Sequence, residues 1–253
     1  MKFIFSGTGT SQGIPVIACP CAVCQSADTH DNRLRTSGVL MSDTTTVVFD
    51  TGPDFRQQML RHRVQQLDAV VFTHAHKDHT AGLDDVRSFN YRQQRPMPLW
   101  GNAGTLHNLR REYYYVFENE NYPGLPLLSL HEVGQAPFTI GDLTLTPVPV
   151  KHGRMEVLGF RCGDFAYITD ANDISPASLD LLQGLDTLVL NALRVEKHHS
   201  HFSLDEALAV IASLNPRQAW LTHISHQMGL HAETSARLPA GVAIAWDGLT
   251  LSW

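Results

Sequence analysis

Four side chains that can bind metal lie within six residues of one another. They directly follow an apolar stretch, 69–73, whose composition predicts a short buried strand. Alternate residues of an extended chain share a face, so two histidines can point at one site, while a turn beginning at Lys77 aims the other two groups at a second site nearby. The spacing therefore predicts two adjacent metal sites, built from His74, His76, Asp78 and His79.

Three of the four cysteines form a second cluster near the start of the chain. Their spacing is too tight for a disulfide framework, and the first residues lack the apolar segment and cleavage site of a secretory signal. Thiolates at this spacing suit a closed tetrahedral zinc site, which needs a fourth ligand that a late histidine can supply. We predict a structural zinc knuckle near 19–24, and the ligands of that zinc ion are Cys19, Cys21, Cys24 and His226. The alternative is that the three cysteines are free thiols in the core.

Size and charge limit the class of protein. The chain has 253 residues, 43% hydrophobic and 17% charged, which is enough to bury the core of a single domain spanning 1–253. A net charge of −6 argues against an extended nucleic-acid surface and leaves a small anionic substrate open. The longest apolar runs, 67–72 and 185–190, are far shorter than the roughly 20 residues that cross a bilayer. We therefore expect a cytoplasmic protein without a membrane span.

Strands and helices follow each other in both halves of the chain. This order predicts an α/β fold, with two β-sheets packed as a sandwich and helices outside. A Pro/Gly-rich stretch near 122–126 separates the halves, and a closing hairpin over 242–245 and 249–252 is expected to complete the second sheet. Helices are predicted over Asp54–His62, Gly82–Arg92, Ala103–Phe117, Ser175–Gly184 and Ser203–Leu214, the last with Ser203 as N-cap and Glu206 completing a capping box.

The motif His74-x-His76-x-Asp78-His79 resembles the signature of the metallo-β-lactamase superfamily, metal-dependent hydrolases with an αββα sandwich of two mixed sheets. The resemblance implies further ligands at predicted strand ends, and the chain offers them in the expected order. It also implies that Asp50 supports the site from outside. Two divalent ions sharing a water would lower its pKa and supply hydroxide near neutrality. On this basis one ion is held by His74, His76 and His152, the other by Asp78, His79 and His223, and Asp170 bridges them.

Further motifs narrow the resemblance to one branch. The Gly-rich segment 6–15, the cysteines, the segment 50–53 and the segment 222–226 are together similar to the phosphoribosyl cyclic phosphate phosphodiesterases, or PhnP-like branch, over essentially the whole chain. This implies two-metal opening of a small cyclic phosphodiester such as 5-phosphoribosyl 1,2-cyclic phosphate, in phosphonate metabolism, with Mn or Zn in the site and a structural Zn at the knuckle. The Gly-rich segment lacks the ending of a P-loop, and we interpret it as a tight turn that brings backbone near the metal site.

The segment 196–203 resembles the family's histidine-bearing loop before a helix. There an imidazolium would donate a proton to a leaving alkoxide. His201 is our first choice for this general acid and His198 the second, and the adjacent His199 prevents a unique assignment. The alternative is a solvated loop of histidines. Together with the ligand Asp78, these two are the candidate catalytic residues.

Other functions remain open at this stage. Acyl hydrolases of the superfamily, lactonases or thioesterases, share the metal ligands. A transfer-RNA 3′-processing nuclease would carry a basic arm, whereas the segment 112–150 contains no Lys or Arg. A non-catalytic metal-binding carrier need not keep the full ligand set. We expect a small-molecule phosphodiester as the substrate and leave a homodimer open.

Overall fold

A computed structural model of the chain describes residues 1–118 and 124–253, so part of the Pro/Gly-rich stretch near 122–126 lies outside the described residues. Within these ranges the strands are β1 (Lys2–Gly7), β2 (Ser37–Met41), β3 (Thr46–Phe49), β4 (Ala69–Val71), β5 (Met97–Gly101), β6 (Leu128–Glu132), β7 (Phe138–Ile140), β8 (Leu143–His152), β9 (Met155–Cys162), β10 (Phe165–Ile168), β11 (Thr187–Asn191), β12 (Gln218–Thr222), β13 (Val242–Ile244) and β14 (Thr250–Ser252).

The strands form two mixed sheets of seven strands each within the described residues. The first has the order β14-β1-β2-β3-β4-β5-β6 and the second β13-β12-β11-β10-β9-β8-β7. In each sheet one half is antiparallel and the other half is parallel. The parallel strands are β3 to β6 in the first sheet and β10 to β13 in the second. The predicted sandwich of two mixed sheets is confirmed.

Side-chain alternation sorts the strands' apolar residues into three layers. In β1, Phe3 and Phe5 face the other sheet while Ile4 faces outward; in β10, Phe165 and Tyr167 face inward. The inner residues of both sheets form one aromatic-rich core, as period-two alternation requires. The outward residues pack under helices on both sides, which completes the αββα layering.

The helices cover these outer faces. They are α1 (Phe55–Arg61), α2 (Lys77–Thr80), α3 (Arg87–Gln93), α4 (Ala103–Glu112), α5 (Tyr114–Glu118), α6 (Pro176–Leu181), α7 (Leu204–Leu214) and α8 (His231–Ser235), with 3₁₀ turns at Thr29–Asp31, Leu83–Val86 and His226–Met228. No helix in the described part of the chain combines the length and the hydropathy needed to span a membrane.

The predicted helices form, with local differences. The capping box of α7 is present: the Ser203 side chain accepts from the Glu206 amide and the Glu206 carboxylate accepts from the Ser203 amide. The helix predicted over 103–117 breaks at Tyr113, whose hydroxyl donates to the Thr80 carbonyl at 2.8 Å. That bond fixes the Tyr113 side chain at the point where α4 ends. The predicted helix over 82–92 is a 3₁₀ turn followed by α3, and β6 and α8 were not predicted.

The predicted closing hairpin is wrong. β13 pairs with β12 in the second sheet, whereas β14 pairs with β1 in the first, so the segment crosses between the sheets. Asp247, at this crossing, is buried, and its Oδ1 accepts from the Thr8 amide at 2.9 Å and its Oδ2 from the Leu34 amide at 2.7 Å. These bonds to the first sheet's side of the sandwich direct the chain away from β13.

This crossing yields a stability prediction. Replacing Asp247 with Ala leaves two amide donors without an acceptor, so Asp247→Ala should lower the free energy of unfolding by about 2–3 kcal/mol. Urea unfolding followed by circular dichroism measures the change, with Asp43→Ala, at an exposed turn, as the control. Equal stability of the two variants would contradict the role given to Asp247.

Candidate metal centre

The candidate ligands lie where strands end. Asp50 follows β3 and His74 comes shortly after β4. In the other sheet, Asp170 comes shortly after β10, His223 follows β12, and His152 is the last residue of β8. The carboxyl ends of parallel strands meet at one edge of a sheet, and here the edges of both sheets face one another. This geometry brings residues from distant parts of the sequence to one place.

A first group of donors consists of three imidazoles. His74 Nε2 lies 3.0 Å from His76 Nδ1, and the His152 ring is centred 5.4 Å from the first ring and 5.1 Å from the second. One donor atom from each lies within 4.8 Å of the others. His74 and His152 are buried, whereas His76 is exposed, so the group opens to solvent on one side.

A second group joins two carboxylates to two imidazoles. Asp78 Oδ2 lies 3.3 Å from His79 Nε2 and 3.6 Å from His223 Nε2. Asp170 Oδ2 lies 3.4 Å from Nε2 of His79 and 3.2 Å from Nε2 of His223. The same oxygen lies 3.9 Å from Nε2 of His74, which belongs to the first group. This carboxylate oxygen therefore stands between the two groups, the position that the resemblance assigns to a bridging ligand.

The donor atoms fit divalent ions. Nε2 of His79 and Nε2 of His223 face the carboxylate oxygens of Asp78 and Asp170 at 3.2–3.6 Å without hydrogen-bond geometry, a placement that suits an ion between them. Ligands at about 2.0–2.1 Å from a tetrahedral ion are separated by about 3.4 Å, close to the observed spacing. A mixed set of imidazoles and carboxylates suits Zn or Mn.

Outer hydrogen bonds fix the orientation of the imidazoles. Nδ1 of His79 lies 2.7 Å from Asp50 Oδ2, and Nδ1 of His152 lies 2.7 Å from the Ser200 carbonyl. Nδ1 of His74 lies 2.9 Å from Oγ1 of Thr73, whose amide donates to Asp50 Oδ1 at 2.8 Å. With these three Nδ1 atoms occupied, Nε2 of His79, His152 and His74 is available for an ion. Asp50 thus has the supporting position that the resemblance implied.

The charges of the second group balance inside the protein. Burial alone would raise the pKa of Asp170, but His223 and His79 hold that pKa well below its usual range. Burial would lower the pKa of His223, but Asp170 and Asp78 raise it to about 9. Protonated imidazoles therefore neutralise the carboxylates when no cation is bound. Divalent ions must displace these protons, so metal affinity should fall with falling pH.

The backbone around the site is tightly constrained. Asp50 and His223 adopt left-handed conformations, with φ of 63° and 56°, and such non-glycine residues cost on the order of 1 kcal/mol or more. A Cβ on Gly52 would lie 2.1 Å from the Asp78 carbonyl oxygen, so only glycine fits. The Thr51 amide donates to the His79 carbonyl at 2.8 Å in the same contact. The Asp50 loop and the metal motif are therefore locked together.

The predicted knuckle residues also converge. Nδ1 of His226 lies 3.3 Å from the Cys19 sulfur, 3.4 Å from the Cys21 sulfur and 3.6 Å from the Cys24 sulfur. A tetrahedral zinc ion with one nitrogen and three sulfur ligands separates nitrogen from sulfur by about 3.6 Å. We refer to these four residues as the cysteine cluster. The Gly-rich segment lies close to both sites. Its Thr10 amide donates at 3.0 Å to the carbonyl of Ile224, which lies between His223 of the metal centre and His226 of the cysteine cluster.

The His loop, residues 196–201, approaches the metal centre from one side. His201 is buried, its ring stacks on that of His223 at 4.8 Å, and its Nδ1 lies 3.9 Å from Asp170 Oδ2. The His198 ring is farther out, centred 5.3 Å from the His201 ring, and His199 is exposed. Burial lowers the pKa of His201 to about 3, against the opposing effect of Asp170. Of the three histidines, His201 therefore lies nearest the metal centre and is neutral at pH 7 in the free protein.

Some parts of the site carried no usable sequence signal. The support from the Ser200 carbonyl to His152 is a backbone contact, which any residue type could make. Thr73 was assigned only to a strand, although it precedes the motif directly. The sequence predicts His201 as a proton donor; the structure adds that one of its ring nitrogens lies within 4.8 Å of donor atoms of His152 and Asp170, a group that could hold an ion.

Comparisons with known proteins agree with this geometry. Residues 45–224 match the Beta-lactamase superfamily domain. The chain is similar to a solved structure described as a new diphosphatase from the PhnP family, with 40% identity, a TM-score of 0.94, and coverage of 100% of this chain and 97% of that one. The chain therefore belongs to the metallo-β-lactamase superfamily. Within it, the predicted resemblance to the PhnP-like branch is confirmed.

Two further proteins extend the comparison. An octanoyltransferase of Porphyromonas gingivalis is 39% identical over 252 residues, which cover 98% of this chain and 51% of that protein. The chain thus spans about half the length of this curated relative. The Zn²⁺-bound PqqB of Methylobacterium extorquens shares the fold, with 19% identity, a TM-score of 0.80 and full coverage of both chains. The fold and the donor groups together support a hydrolase with divalent metal cofactors.

The donor groups predict the metal content. Protein purified without chelator should contain about three divalent ions per chain, because two donor groups share the metal centre and a third lies at the cysteine cluster. Elemental analysis measures this number. Cys21→Ser should remove one ion and leave the others. A content near one that Cys21→Ser does not change would contradict an ion at the cysteine cluster.

Proposed function

We propose that the protein is a metal-dependent phosphodiesterase that hydrolyses a small, preferably cyclic, phosphodiester such as 5-phosphoribosyl 1,2-cyclic phosphate. The observation that carries the proposal is the convergence of seven donor residues on two adjacent groups joined through Asp170. The likeness to a PhnP-family diphosphatase over nearly the whole length of both chains supports phosphoester chemistry. The substrate class is our inference from the branch.

In this proposal each residue has a defined task. His74, His76 and His152 would hold one divalent ion, Asp78, His79 and His223 the other, with Asp170 shared. Ions bound there would lower the pKa of a water and neutralise charge that develops on the phosphate. Asp50 keeps the His79 ring in place through its 2.7 Å contact with Nδ1. The exposed edge at His76 leaves room for a substrate to enter.

His201 is proposed as the proton donor to the leaving oxygen. It stands beside both donor groups, through Asp170 and the stacked His223 ring, so a phosphate bound at the metal centre would lie next to it. Its low pKa in the free protein comes from burial first, and the nearby negative charge of a phosphodiester favours the protonated ring. His198, farther out, is the second candidate. His201 differs from the ligands in a testable way, since its loss should spare the metal.

The substrate range tests the proposal. Metal-loaded protein should hydrolyse chromogenic and cyclic phosphodiesters, but not phosphomonoesters or β-lactams, because no cation cluster for a dianion is evident in the sequence. Asp78→Ala, matched by circular dichroism, should lose most of the activity, since the residue is a candidate ligand in the short helix α2, partly buried at the metal centre and outside the hydrophobic core. Faster cleavage of a lactone or thioester than of every diester would instead favour an acyl hydrolase, and near-normal turnover by the folded variant would reject the metal assignment.

The leaving group distinguishes the role of His201. His201→Ala should slow diesters with poor alkoxide leaving groups by roughly 10² or more and barely affect nitrophenyl diesters, because a proton donor matters only when the departing oxygen needs a proton. Metal content should remain unchanged. His198→Ala, measured in parallel, should have the smaller effect. Metal loss, or equal slowing on both substrates, would exclude a general acid at this position.

A further inference from the structure

The side chain of Arg194, two residues before the His loop, donates hydrogen bonds to the backbone of that loop. Its Nε donates to the Glu196 carbonyl at 3.2 Å and its Nη2 to the Lys197 carbonyl at 2.9 Å. Its own carbonyl accepts from the amide of Leu204, the first residue of α7, at 2.9 Å. The arginine therefore joins the start of the loop to the helix that follows it.

The same guanidinium reaches toward the cysteine cluster. Nη1 of Arg194 donates to Oε1 of Gln227 at 2.9 Å. Gln227 directly follows His226, the histidine of the cysteine cluster, in the same 3₁₀ turn. A backbone bond from the Ser225 amide to the Leu193 carbonyl, at 2.9 Å, lies beside it. Arg194 thus connects the His loop to the turn that carries His226.

On its other side the His loop contacts the metal centre. The Ser200 carbonyl accepts from Nδ1 of His152 at 2.7 Å, and His201 stacks on His223. A shift of this loop would displace the proposed proton donor and the support of one ligand together. Misplacement by about 1 Å at a reacting centre can cost on the order of 10² in rate.

We propose that Arg194 is a positioning residue that couples the cysteine cluster to the His loop, through Gln227, and so sets the placement of His201 at the metal centre. The residue type suits this task. A guanidinium presents five N–H donors in a rigid planar fork and can serve three acceptors in fixed directions, which a lysine ammonium on its flexible stem does not reproduce. The consequence for turnover rests on the proposed function; the ordering of the loop does not.

Hydrogen exchange of the metal-loaded protein, comprising residues 1–253, tests the ordering directly. Arg194→Lys and Gln227→Leu should speed exchange of the Phe202 and Leu204 amides by about tenfold, because the loop then opens locally more often. These amides follow the His loop and donate to the Ala171 and Arg194 carbonyls. Gln227→Glu keeps the acceptor and should leave exchange unchanged. The matched control is Arg217→Ala, which removes an arginine paired with Asp186 near the opposite end of β11. Unchanged exchange in Arg194→Lys would overturn the proposal.

The coupling and its effect on catalysis are measured in the same variants. Cys21→Ser should also speed hydrogen exchange at the His loop, and combining it with Arg194→Lys should add little to the exchange rate; full additivity of the two effects on exchange would overturn the coupling.

With diesters as substrates, Arg194→Lys and Gln227→Leu should lower kcat about tenfold for poor leaving groups and less than about twofold for nitrophenyl diesters. Equal slowing on both would reject positioning of a proton donor. A protein that shows the exchange pattern but hydrolyses no diester would reject the proposed function and retain the role of Arg194 in the loop.

Discussion

Two carboxylates buried at the interface of the sheets, Asp50 and Asp170, impose the constraint on which the metal centre depends. Asp50 is fully buried and Asp170 is 1% exposed. A buried charge is strongly unfavourable unless cations and hydrogen bonds compensate it, so each carboxylate needs positive partners. Imidazoles surround Asp170, and Asp50 contacts His79 and Thr73. The same arrangement that compensates these carboxylates makes the centre a candidate site for divalent cations.

The fold supplies these partners because strand ends from both sheets meet at one edge. The candidate ligands come from four separate strand ends, and no local segment could assemble them alone. The loop after Asp50 and the segment that carries the metal motif meet through their backbones. Gly52 lies against the Asp78 carbonyl, and the Thr51 amide donates to the His79 carbonyl. These joints fix the candidate ligands at spacings that suit a divalent ion. The two left-handed residues at the centre, Asp50 and His223, reflect the same demand on the backbone.

The sequence predicted much of the fold and of the candidate site, for identifiable reasons. The apolar composition of 69–73 predicted the strand that forms as β4, and the dense motif from His74 to His79 marked the candidate metal centre. The capping box at Ser203 placed the start of α7. The predictions were wrong where a distant contact decides the structure. The closing hairpin failed because Asp247 bonds to Thr8 and Leu34, residues more than 200 positions away along the chain. Backbone acceptors such as the Ser200 carbonyl are invisible to residue types.

The crossing of the segment 242–252 between the sheets has a consequence for the order of folding. β14 pairs with β1, so residues about 250 positions apart form neighbouring strands, and the contact order of the chain is correspondingly high. Strand β1 therefore keeps one edge unpaired until residues 250–252 have been synthesised. Non-local pairing of this kind is slow, and an open strand edge invites pairing with other chains. During synthesis, the exposed edge of β1 would be open to pairing with other chains.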